Sequence, residues 1–187
     1  PSCLRPPAWS FSRREETEVT TEAFNARRRR IQRAGMIVLA AWAGVNIVGG
    51  TAMFFLDEAH RFFYQMNAIW NLVNAGLAAG GLLGTRKPTV DWSLTRSIEA
   101  QHNLEKILLV NGGLDFGYIM GGLFLMQLAD ELTRWAAQLP GWGAAIVLQG
   151  AFLLIFDFAL FLVLRRNRGY RELLGAGTGP PGPAAES

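Results

Sequence analysis

The chain has 187 residues, is 50% hydrophobic and carries a formal net charge of +3 with a mean hydropathy of +0.18. That hydropathy is high for a soluble domain of ordinary composition, and the length allows one domain or a small membrane bundle. The single cysteine, Cys3, excludes a disulfide, a Cys-His metal cluster and dithiol chemistry within the chain.

In chain order, residues 1–19 combine prolines and charges without a period and read as a disordered N-terminal tail. From about Thr20 a helix is expected, with Phe24 and Ile31 seven apart around an arginine run; it lies at the membrane interface and continues into the first apolar stretch. Four such stretches occur, at about 34–56, 62–84, 107–129 and 143–164, each close to the roughly 20 residues that cross a bilayer as a helix. The first is too long and too deep in the chain to read as a cleaved signal peptide. It holds Trp42, Asn46 and Met53 on one face, with Gly49 and Gly50 alongside. Only residues 57–61 separate it from the second stretch, which predicts a tight antiparallel hairpin.

The second stretch carries Asn67, Asn71 and Asn74 at i, i+4 and i+7. At about 3.6 residues per turn their carboxamides share one narrow stripe. A primary amide in hydrocarbon costs several kcal/mol unless it finds a partner, so the stripe must face other polar groups. Asp91 and Ser93 are candidate caps for a helix that starts near Ser93 and passes Glu99, His102, Glu105 and Lys106 into the third stretch. There Asn111, Asp115, Tyr118 and Gly122 recur at helical spacing. Leu132, Trp135, Ala136 and Leu139 predict a short interfacial helix in the next loop. The fourth stretch holds Gln149 and Asp157, and residues 173–187 are Gly/Pro-rich and read as a disordered C-terminal tail.

Orientation follows from the basic residues. Arg27, Arg28, Arg29, Arg30 and Arg33 precede the first stretch; Arg86, Lys87, Arg96 and Lys106 lie between the second and third; Arg165, Arg166, Arg168 and Arg171 follow the fourth. Only Arg61 and Arg134 fall on the other side. The positive-inside rule therefore places both termini in the cytoplasm. The residues Arg27–Arg30 and Arg33 read as a basic anchor facing membrane lipids. Because the basic residues hug the span ends, a nucleic-acid partner is not indicated.

Counting about 1.5 Å per residue from the cytoplasmic ends places Asn46, Asn74, Asp115 and Asp157 near the midplane. Asn71 and Gln149 fall further out and Asn111 further in. No lysine or arginine lies inside a stretch, so each aspartate must be neutral, share a proton or hold a cation. The expected site therefore comprises Asn46, Asn67, Asn71, Asn74, Asn111, Asp115, Tyr118, Gln149 and Asp157, binding a proton, a cation or a small polar ligand. The alternative is a structural subunit or scaffold whose polar cluster only cross-links helices. A membrane enzyme using Glu99, His102 and Glu105 is a weaker third reading. No motif calls for a cofactor or a metal, and no catalytic constellation stands out.

Two further patterns bear on assembly. Gly49-Gly50 followed by Asp57-Glu58 is echoed by Gly121-Gly122 followed by Asp130-Glu131, which suggests two related hairpins. Gly76, Gly80 and Gly84, and again Gly113, Gly117 and Gly121, form small-xxx-small ridges turned away from the polar stripes. Such ridges let helix backbones approach, so a homo-oligomer or another membrane subunit is an expected partner.

Four segments together resemble an uncharacterised family of short bacterial inner-membrane proteins, a domain of unknown function. They are Gly35-Met36 with Leu39, Trp42 and Asn46; the segment 66–74; Glu105-Lys106 with Asn111 through Asp115 and Tyr118; and Gln149-Gly150 with Leu153, Phe156 and Asp157. The resemblance spans about residues 33–165. It implies a bacterial membrane protein with four helices and brings no activity; the residues themselves predict an all-α fold of four transmembrane helices in an antiparallel bundle in the inner membrane.

Overall fold

The computed structural model describes residues 8–86, 92–129, 131 and 134–167, with side chains from residue 21 onward. Its described residues form four α-helices and no strand: α1 (Ala8–Leu56), α2 (Arg61–Gly84), α3 (Leu94–Leu128) and α4 (Leu139–Arg165). Lys87, Asp91, Asp130, Leu132, Arg168, Arg171 and the segment 173–187, to which expectations were attached above, lie outside the described residues.

The helix ends follow local chemistry. The α1–α2 turn is short because the Asp57 carboxylate folds back on it. Asp57 accepts from the His60 backbone N–H at 3.3 Å and lies 3.0 Å from His60 Nδ1. Ser93 caps α3, its hydroxyl accepting from the Arg96 N–H at 3.3 Å. One expectation needs correcting: α1 begins at Ala8, well before Thr20. After Pro7 the sequence has no proline or glycine until Gly35, so nothing breaks a helix that the following segment already nucleates. The described residues around Trp135 do not form the interfacial helix expected there. Residues 134–138 form turns, with Trp135 C=O accepting from the Gln138 and Leu139 amides, and α4 follows directly.

The helices associate as two intimate pairs, α1 with α2 and α3 with α4, joined mainly through α2 and α4. Glycines set the close approaches between helices, Gly50, Gly122 and Gly150 among them. A Cβ on Gly50 would lie 2.9 Å from the Tyr64 carbonyl oxygen of α2. One on Gly122 would lie 2.6 Å from the Gly143 carbonyl oxygen of α4, and one on Gly150 would lie 2.9 Å from the Asp115 carbonyl oxygen. Gly50 and Gly122, the echoed positions of the sequence, thus do the same work in the two hairpins. The ridges Gly76/Gly80/Gly84 and Gly113/Gly117/Gly121 do none of it: every one of these six faces open space.

Burial runs opposite to that of a water-soluble domain. The largest fully buried side chains are Leu164 and then Gln101, Gln149, Asn25, Asn71, Asn74, Asn167 and Ser97. Val45, Val48, Phe55, Leu72, Leu77 and Ile155 stand 61–77% exposed. By length and composition α1, α3 and α4 could each cross a membrane. α2 has the length but not the hydropathy, because the inward-facing Asn67, Asn71 and Asn74 lower its average.

Candidate functional site

The nine expected polar residues do not form one cluster. They separate into two groups along the helices. The first lies toward the α1–α2 turn and is knit by direct hydrogen bonds. Gln149 of α4 accepts from the Trp42 indole of α1 at 2.9 Å and donates to Asn67 Oδ1 of α2 at 2.6 Å, with a longer contact to Asn46 Oδ1 at 3.4 Å. Each asparagine also donates one amide proton to the backbone: Asn46 to Trp42 C=O at 2.9 Å, Asn67 to Phe63 C=O at 3.0 Å, and Asn71 to Asn67 C=O at 2.8 Å. Phe152 stacks on the Trp42 indole at 3.9 Å and seals the flank. None of this group's side-chain polar atoms is buried without a hydrogen-bond partner, as buried polar groups require.

The second group lines a cavity of about 470 Å³ where α2 and α3 diverge. Asn74, Asn111, Asp115, Tyr118 and Asp157 supply its polar wall, and Met36, Leu39, Leu108, Leu153 and Leu160 much of the apolar remainder. The volume falls in the range of small-molecule sites. Trp70 and Tyr118 meet edge to face at 4.9 Å, bridging α2 and α3 at one end of the cavity. Below that bridge the rim residues Val73, Leu77, Ile107 and Leu114 are each more than half exposed, so the cavity opens sideways between the two helices.

Two carboxyl groups define its chemistry. Asp157 lies near the Asn111 side chain, and Asp115 lies within electrostatic reach of Asp157. Asp115 is 4% exposed, and its Oδ2 has no hydrogen-bond partner. Asn74 connects the two groups, donating to Asn71 Oδ1 at 3.1 Å. An unpartnered carboxyl oxygen beside a second carboxyl and two carboxamides can hold a proton, a cation or a donor group of a ligand. No three His, Cys, Asp or Glu side chains come together as a metal site among the described residues.

The family of unknown function DUF6992 matches residues 38–158. The chain belongs to this family. The DUF6992 segment contains Trp42 and all nine expected polar residues, from Asn46 to Asp157, and excludes the arginines at 27–33 and 165–166. No curated protein and no solved structure matches the chain significantly.

A third polar group, which the sequence reading missed, joins Ser97 and Gln101 of the DUF6992 segment to Asn25, Arg28 and Asn167 on either side of it. Asn25 of α1 donates to Ser97 Oγ at 2.8 Å, and Arg28 donates to Ser97 C=O at 2.9 Å. Gln101 donates to Leu164 C=O at 3.2 Å and to Glu105 at 3.0 Å, and accepts from Asn167 at 3.4 Å. The signal was available: stepping back from Asp115 along one helical face reaches Leu108, Gln101 and Ser97. Arg28 also corrects the basic anchor. It is 5% exposed and pins α1 to the start of α3, so it does not face lipid as Arg27, Arg30 and Arg33 can. Glu99, His102 and Glu105 line neither this cavity nor the basic one treated below.

Proposed function

We propose that this is a four-span protein of a bacterial inner membrane, an antiparallel bundle with both termini cytoplasmic, whose side-opening cavity binds a cation or the donor group of a small polar ligand. The observation that carries the reading is the buried, unpartnered Asp115 oxygen in a cavity shared with Asp157. The polar interior and apolar exterior support the membrane setting. The fourth span, α2, presents Ile69, Leu72, Val73 and Leu77 outward, each more than half exposed, while its asparagines point in. An acidic site with apolar walls suits a monovalent cation, an ammonium group or a proton better than an anion.

The test is thermal unfolding of the purified protein in lipid nanodiscs with sodium, potassium or methylammonium added and across a pH step. Asp115→Asn and Asp157→Asn keep the shape and most of the hydrogen bonds. They should unfold near the wild-type midpoint and lose any ion-dependent rise. A rise that both variants retain would place the ion elsewhere and overturn the proposal.

A second reading, a structural subunit of a larger membrane complex, is favoured by the group around Gln149, whose side-chain hydrogen bonds tie α1, α2 and α4 together. The two readings divide the molecule between them: cross-linking toward the α1–α2 turn, binding at Asp115. The open glycine ridges on α2 and α3 further support contact with a second copy or another membrane subunit.

A further inference from the structure

The arginine run of α1 is sorted by the helix into different environments. Arg28 turns inward to Ser97 C=O and sits 5.3 Å from the Trp92 ring, and Arg29 is engaged as well. Arg27 and Arg30, one turn apart, face α4. With Arg166, just beyond the end of α4, they line a second cavity of about 640 Å³. Its remaining walls are Ala23, Ala26, Ile31 and Val163. None of the three arginines has an ion-pair partner among the described residues. The neighbouring Arg165, by contrast, rests over the Phe161 ring at 5.6 Å.

We propose that Arg27, Arg30 and Arg166 form a binding site for a phosphate group, separate from the Asp115 cavity. Three arginines lining one cavity from two helices offer forked donors to a tetrahedral anion, where a single arginine would offer one edge. The apolar wall runs the right way for a phospholipid. Ile31 and Val163 lie on the side of the arginines that leads into the apolar stretches of α1 and α4, where an acyl chain would follow its headgroup. A soluble phosphate would use the same donors and leave that wall bare. The choice of a lipid as source rests on the membrane reading above; the phosphate site itself does not.

Native mass spectrometry of the full chain from a mild detergent tests this, with phosphatidylglycerol, phosphatidylcholine and inorganic pyrophosphate as probes. The variant Arg27→Gln/Arg30→Gln/Arg166→Gln should bind phosphatidylglycerol roughly tenfold more weakly or worse than wild type. The control Arg33→Gln/Arg61→Gln/Arg134→Gln removes the same charge elsewhere and should stay within about threefold of wild type. Should the site variant fail to fold, Arg166→Gln alone lies past the end of α4 and should show the same direction. Pyrophosphate that binds saturably, and more weakly to the site variant, would assign the phosphate to a soluble source and still support the site. Equal losses in both triple variants would mean general charge attraction and overturn the site. Phosphatidylcholine binding as tightly as phosphatidylglycerol, with pyrophosphate silent, would overturn it too. The topology fusions described below do not depend on this outcome, so a failure here and a failure of the membrane reading are separable.

Discussion

Gln149 on α4 donates to Asn67 on α2 at 2.6 Å while accepting from the Trp42 indole of α1 at 2.9 Å. One fully buried carboxamide therefore ties three helices together. Gln149→Leu leaves the Trp42 N–H and the Asn67 carbonyl unsatisfied, and should lower stability by about 1–2 kcal/mol. A double-mutant cycle with Asn67→Ala, read by reversible unfolding in mixed micelles, should show positive coupling between the two residues. Additive losses would mean that the hydrogen bond contributes nothing beyond the packing of each side chain.

The glycines make two opposite predictions within one residue type. At Gly122 and Gly150 a Cβ would meet backbone atoms at 2.6 and 2.9 Å, so Gly122→Leu and Gly150→Leu should unfold the protein or force α3 and α4 apart. At Gly80 and Gly117 nothing lies within 4 Å, so leucine there should leave the monomer's melting midpoint nearly unchanged. If a ridge meets a second copy, the same substitutions should reduce self-association measured by single-molecule photobleaching in bilayers. A wild-type protein that is strictly monomeric and partner-free there would remove the role proposed for both ridges.

Helical spacing read from the sequence located most of what matters in the interior. The Asn67/Asn71/Asn74 stripe, Asp115 and Asp157 all face inward, at 0–7% exposure, because a carboxamide or carboxyl group has no stable place on an apolar exterior. Depth along the axis was the weaker guide. It grouped Asn46 with Asp115 at the midplane, whereas Asn46 pairs with Gln149 and Asp115 lines the cavity. Rise per residue fixes height but not which neighbours share it; that depends on helix order and tilt, which the packing of α2 against α4 decides. The cavity itself had no signature, since it exists where α2 and α3 fail to meet. Arg28 misled for a related reason: in a run of four arginines nothing in the sequence marks the one that turns inward.

Topology can be checked directly. Reporter fusions after Ser187 and within the loop between α2 and α3 should report cytoplasmic, and one near Pro140 should report external. A cytoplasmic signal near Pro140 is incompatible with four spans and would leave α2 outside the membrane, as its lower hydropathy alone could suggest.

The α1–α2 turn should respond to acid. The His60 side-chain hydrogen bond holds the Asp57 carboxyl below its ordinary range. A depressed folded value means that its contribution is present above the unfolded pKa, near 3.9, and is lost as the pH falls through the lower folded value. Because Asp57 sits in an exposed turn, the loss should be local: faster hydrogen exchange at the His60 amide below about pH 4, without a matching drop in the global midpoint. Asp57→Asn should show the fast exchange at neutral pH. Exchange that is insensitive to both changes would mean that the turn is held by backbone geometry alone.

The side opening of the Asp115 cavity yields a prediction about access. Leu77 and Leu114 stand on its rim at 61% and 53% exposure, so enlarging them disturbs little packing and should change stability by no more than about 0.5 kcal/mol. Leu77→Trp combined with Leu114→Trp nevertheless places two indoles across the mouth between α2 and α3. The cation-dependent rise in melting midpoint should then develop more slowly after mixing, with its final size unchanged for a small ion that fits beneath the indoles. A larger probe such as tetraethylammonium should lose both rate and extent. Ala78→Trp serves as the contrast. Ala78 is fully buried beside the asparagine stripe, and its enlargement should collapse stability outright. If the rim variant binds every probe at the wild-type rate, entry does not run between α2 and α3. The remaining path is then the arginine end of the cavity, past Gln32 and Leu104.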